Sequence, residues 1–151
     1  MRWLKKTRGC GVVFREHSAG WEHPDALGFR AGSSIMVECK VSRADFFADR
    51  NKVSRVGMSL EFEQRPAQEC WYLTPPALVE ANELPSGWGL LEAHPRLVKA
   101  VIKADRTKPR SAQAIQHEVY RLYCEVRRYQ IHGLTYPKLT LKSESDGSET
   151  P

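Results

Sequence analysis

Apolar residues recur along the chain with two different periods, and the change of period divides it into strands and helices. CGVVFREH (10–17) and HPDALGFR (23–30) read as strands, the second with its proline tolerated at the strand start. AGS (31–33) is turn-like, and SIMVECKVS (34–42) carries the most continuous apolar run. RADFFADRNKVSR (43–55) switches to helical spacing, with Phe46, Phe47 and Val53 available to pack. Ser42 precedes it with Asp45 three residues on, a capping box with Asp in place of Glu or Gln. VGMSLEFEQRPAQ (56–68) has no clear period, and ECWYLTPP (69–76) is a fourth strand stopped by two prolines. ALVEANELPSGW (77–88) is loop or short helix, and GLLEAHPRLVKAVIK (89–103) resembles a hairpin turning near His94-Pro95. Between Ser111 and His132 the positions Ile115, Val119, Leu122, Val126 and Tyr129 repeat at helical spacing. They mark a long amphipathic helix ending near Gly133. MRWLKKT would be the remnant of a first helix, too short to hold without packing.

Composition fits a single compact domain, expected over residues 1–135, with 136–151 a flexible tail. No apolar run approaches the ~20 residues of a membrane span, and the N-terminus has no apolar secretory core, so a cytoplasmic location is expected. The four cysteines are scattered without a CxxC pair, which suits reduced thiols rather than a zinc site. Net charge is +5, and the last nine residues hold three acids and no base, so the body is more positive still. A basic body favours an anionic partner such as nucleic acid.

Glu38 and Lys40 interrupt the apolar run of the third strand, where an unpaired charge is costly to bury. Strand alternation puts both on one face with Met36. If Ala31-Gly32 is a two-residue loop, Arg30 pairs with Ser33, and counting back sets Asp25 opposite Glu38. Opposed carboxylates repel unless a cation joins them, and a hard cation such as Mg²⁺ takes one or two carboxylates plus water and phosphate. Lys40 would then position or deprotonate the attacking water, or neutralise charge in the transition state. The competing reading is an ordinary Glu–Lys pair on a half-exposed strand.

Pro24-Asp25 followed by Glu38-Cys39-Lys40 resembles the signature of the PD-(D/E)XK nuclease superfamily, and the longer blocks HPDALGFR, IMVECKVSRADFFADRNK, WYLTPPALV and ELPSGWGLLEAH look like its small bacterial and prophage-borne members. The resemblance implies an α/β (α+β) restriction-endonuclease-like fold. Its αβββαβ core is a mixed central sheet flanked by helices, here with an added β-hairpin and a long C-terminal helix. It implies a Mg²⁺- or Mn²⁺-dependent DNA endonuclease in which Asp25, Glu38 and the Cys39 backbone carbonyl hold metal and Lys40 is the catalytic lysine. The first helix lacks the acid many members carry there: either the chain starts too late to include it, or Glu16 or Glu22 substitutes, or the site holds one metal ion. The alternative is an inactive DNA-binding or scaffold protein of the same fold. Cutting both strands of a duplex would favour a homodimer.

Ser42 and Arg43 at a helix N-terminus read as a DNA-phosphate contact or as simple capping by Ser42, and Lys52 as a DNA contact or a helix-face ion pair. Arg106, Lys108 and Arg110, with Arg121, Arg127 and Arg128, read equally as a track for a phosphate backbone or as a solvated linker and helix face. Asp45, Asp49 and Arg50 read either as helix-face ion pairs or as substrate surface. Trp21, Trp71 and Trp88 are expected to pack, and His23 to have a non-ligand role.

Overall fold

The computed structural model describes residues 2–15, 24–51, 66–107 and 110–131. Their order is α1 (Arg2–Lys6), β1 (Val12–Arg15), β2 (Ala26–Arg30), β3 (Ser33–Cys39), α2 (Arg43–Arg50) and β4 (Glu69–Thr74), then a 3-10 turn (Ala81–Glu83), β5 (Gly89–Ala93), β6 (Val98–Ile102) and α3 (Ala112–Ile131). The six strands form one mixed sheet in sequence order. β1, β2 and β3 run antiparallel, β3, β4 and β5 run parallel, and β6 returns antiparallel to β5.

Local chemistry explains the pairings. Arg30 pairs with Ser33 across the two-residue loop Ala31-Gly32, where Gly32 takes φ 69° and supplies the left-handed residue the turn needs. A parallel β3–β4 pair requires a long crossover, and α2 lies within it. Ser42 caps α2 by accepting the Asp45 N–H at 3.2 Å. The central strands β3 and β4 are covered on both faces, so their sequences read as apolar runs rather than as alternation. On one face Leu27, Met36, Cys70, Tyr72 and Leu90 pack with Phe46 of α2. On the other, Ala26, Ile35, Val37, Trp71 and Leu91 pack with Leu4 of α1. That packing sustains a five-residue helix that would not hold alone; Trp3 also meets Trp71 edge-on at 5.3 Å.

β5 crosses a tight point at Gly89, where an added Cβ would lie 2.3 Å from Trp71 Cε3 and 2.7 Å from the Ala104 backbone nitrogen. Gly89→Ala is therefore expected to destabilise the protein by about 3 kcal/mol, the upper part of the overpacking range, measured by urea unfolding. An unchanged midpoint would show that Trp71 and the chain at Ala104 yield easily.

α3 differs from its sequence expectation. An amphipathic helix ordinarily buries its apolar stripe, yet Ile115 is 48% and Val119 61% exposed, while Arg121 and Glu125 are buried. Polar bonds position the helix instead: Arg121 donates to the Pro66 carbonyl, and Ser34 of β3 donates to Glu118 at 2.6 Å. Leu122, Val126 and Tyr129 are half-buried, and Tyr129 meets Phe14 at 5.9 Å. The period located the helix correctly, but the sheet beneath offers polar partners that a one-dimensional pattern does not contain. Among the described residues, no helix is long and apolar enough to cross a membrane. The expected tail, and most of the segment at 56–68, lie outside the described residues.

Candidate functional site

The ladder between β2 and β3 runs from Arg30↔Ser33 to Ala26↔Val37, and Asp25 and Glu38 are the next residues beyond that last pair. The ladder ends at Ala26, and Pro24, two residues before it, has no N–H with which to extend it. Asp25 Oδ2 takes over as acceptor for the Cys39 N–H at 2.7 Å. This charge-assisted bond ties the first carboxylate to the end of β3. On the neighbouring side Lys40 N–H donates to the Leu73 carbonyl at 2.9 Å, which extends the strand by one residue.

Glu38 and Lys40 are 3% and 8% exposed, and alternation directs both to the α2 side of the sheet. Lys40 Nζ lies 3.4 Å from Glu38 Oε2, 3.5 Å from Asp49 Oδ1 and 4.0 Å from Asp45 Oδ1. Burial works against the ammonium, but Asp49, Glu38 and Asp45 outweigh it and raise the lysine above its ordinary pKa. Lys40 is therefore a charged group at neutral pH. Cys39 is exposed, yet its thiol is partly desolvated and pushed up, first by that desolvation and then by the charges of Asp25 and Glu38. Both carboxylates thus act electrostatically on one point at the carboxyl end of β3.

Three carboxylates, Glu38, Asp45 and Asp49, surround the Lys40 ammonium at this edge, and a fourth, Asp25, is held by the neighbouring Cys39 N–H. Among the described residues, no three His, Cys, Asp or Glu side chains form a ready-made cage. The donors on offer are carboxylate and backbone oxygens in excess of the positive charge. That chemistry fits a hard divalent cation that draws the rest of its shell from water and phosphate.

Asp49 is the residue whose place the sequence left open between two surface readings. It is 2% exposed, and its Oδ2 accepts the Tyr72 hydroxyl at 2.7 Å. It faces inward because α2 docks through Phe46, which meets Tyr72 edge-on at 5.0 Å. Its spacing from Phe46, three residues along the helix, was the available signal.

The expected DNA contacts divide. Arg43 is committed to Glu83 and, at 3.0 Å, to the Leu78 carbonyl, with its guanidinium over Phe47. Ser42 serves as the α2 cap. Arg110 has a largely buried side chain, ion-paired to Glu118 and bonded to the Ala114 carbonyl. Arg121 is likewise buried against Pro66. Both satisfy helix and loop groups, an outcome their spacing did not reveal. Arg106 and Arg127 are exposed, whereas Arg128 pairs with Glu125 at 3.3 Å. Glu16, Glu22, His23, Trp21, Lys52 and Lys108 lie outside the described residues. Trp71 and Trp88 are buried in the two apolar layers, as expected.

The fold is shared with a protein of unknown function from Silicibacter pomeroyi. That structure superposes with a TM-score of 0.58 over 89% of this chain and 88% of its own, at 20% identity. No protein-family model and no curated protein matches the chain.

Proposed function

We propose that the chain is a metal-dependent DNA endonuclease of the PD-(D/E)XK type, hydrolysing a phosphodiester by attack of an activated water. The observation that carries this reading is the β2–β3 register, which leaves Asp25 and Glu38 just beyond the pair Ala26↔Val37, with Lys40 ion-paired to Glu38. The order α1-β1-β2-β3-α2-β4 supports it, because it has the αβββαβ sequence that the resemblance implies.

Asp25 and Glu38, with the Cys39 carbonyl, would hold Mg²⁺ or Mn²⁺. Such an ion, when bound, would polarise the phosphate and lower the pKa of a water. The chain's own residues supply the rest. The Cys39 N–H fixes the Asp25 carboxylate, and burial fixes Glu38. The ammonium of Lys40, stabilised by its carboxylates, is suited to offset negative charge developing on the phosphoryl oxygens. A group held in its charged form is poorly suited to take a proton from water.

Nicking of supercoiled plasmid by purified protein, with Mg²⁺, Mn²⁺ or EDTA, tests the reading. Cleavage is expected with either ion, is expected to stop with EDTA, and is expected to be lost in folded Asp25→Ala and Lys40→Ala variants. Equal cleavage by wild type and variants would assign the activity to a contaminant. No cleavage of plasmid, single-stranded or branched DNA would favour a non-catalytic DNA binder of the same fold.

A further inference from the structure

Lys40 has more buried negative charge around it than a pair with Glu38 requires. Glu38 would be drawn toward a cation whenever one is bound, which weakens its hold on the ammonium. Asp45 stands at 4.0 Å with a side chain 45% exposed, where solvent screens it. Asp49 differs from both. It is desolvated, it comes from α2 rather than β3, and its two oxygens are divided between Lys40 at 3.5 Å and the Tyr72 hydroxyl at 2.7 Å. Tyr72 is itself stacked on Trp88 at 4.5 Å and edge-on to Phe46 at 5.0 Å. The carboxylate is thereby oriented by a ring with little freedom to move.

We infer that Asp49, anchored by Tyr72, is a positioning residue that keeps the Lys40 ammonium at the catalytic edge when Glu38 is engaged elsewhere. This rests on the nuclease reading for its catalytic meaning, but the positioning itself is measurable without any reaction. A packed carboxylate, hydrogen-bonded on one side and ion-paired on the other, that aligns a charged group resembles the outer partners of metal ligands, whose loss costs about 10- to 100-fold.

Two readouts test it. The first is the NMR signal of the Lys40 ζ-ammonium in the cation-free protein, assigned by its loss in Lys40→Arg. A distinct, slowly exchanging signal is expected in wild type, weakened in Tyr72→Phe and lost in Asp49→Asn. The second is Mg²⁺-dependent plasmid nicking, where Asp49→Asn is expected to lower kcat about tenfold or more, with KM for DNA within about twofold of wild type. Glu69→Gln is the control for lost stability, since Glu69 is a buried carboxylate at the start of β4, level with Ile35 of β3 and bonded to Arg8, Arg30 and Trp71. It should leave kcat unchanged. A Lys40 signal that persists in Asp49→Asn overturns the inference, as does a rate loss that Glu69→Gln reproduces at matched stability. A wild type that does not cleave overturns the nuclease reading only. The ammonium signal then decides the positioning by itself: lost in Asp49→Asn it supports the inference, and retained it overturns it.

Discussion

Glu38→Gln should abolish cation-dependent nicking, with a loss on the order of a thousandfold or more. A bound cation contributes several kcal/mol of charge stabilisation in the transition state, and about 1.4 kcal/mol corresponds to tenfold in rate. Glutamine keeps the shape of the side chain but removes the charge that would hold the cation and that pairs with Lys40 at 3.4 Å. A second signature is thermodynamic. A ligand that binds only the folded state stabilises by about 2.7 kcal/mol at 100 times its Kd, so wild-type Tm should rise with Mg²⁺ and that of Glu38→Gln should not. If the variant's Tm rises as much as wild type's, the cation binds elsewhere and the proposed ligand set is wrong. If it still cleaves at the wild-type rate, Glu38 has no part in the reaction.

The second large effect falls on stability. Lys40→Met keeps much of the side-chain volume but leaves Glu38 and Asp49, 3% and 2% exposed, without their shared cation. Removing one partner of a buried ion pair costs about 3–5 kcal/mol, because the remaining charge stays desolvated. We expect a loss in that range by urea unfolding at neutral pH. The triple variant Lys40→Met, Glu38→Gln, Asp49→Asn should recover most of it, since no buried charge then lacks a partner. Equal stability of the single and triple variants would contradict this account. The sign of the pH dependence follows from the raised pKa of Lys40. Its stabilising contribution is fully present below the ordinary lysine range and is lost as pH rises through the folded-state value. Wild type should therefore weaken in the alkaline range, and the triple variant should lack that component.

Much of the site's frame was legible in one dimension. The two-residue loop at Ala31-Gly32 is short enough for register to follow by counting, and the count that set Arg30 against Ser33 agrees with the ladder. The apolar run of β3 made Glu38 and Lys40 conspicuous, because charge inside a covered strand demands a partner. Asp49 was harder to read. It follows Phe46 by one helical turn, but whether that face meets the sheet depends on where the crossover lays α2. The arginines were hard to read for a related reason. Arg110 and Arg121 have the composition of a DNA-tracking surface, yet Glu118 and the Pro66 carbonyl take them up.

The sequence by itself determined element type, the β2–β3 hairpin and the sites of unusual buried charge. Each depends on local periodicity, turn chemistry or the cost of desolvation over a few residues. Only the tertiary structure decided that α3 turns Arg121 and Glu125 inward and Val119 outward. It alone decided that Lys40 sits between carboxylates of two different elements. Those outcomes depend on which polar groups of distant segments meet across the sheet, and no short-range pattern encodes that meeting.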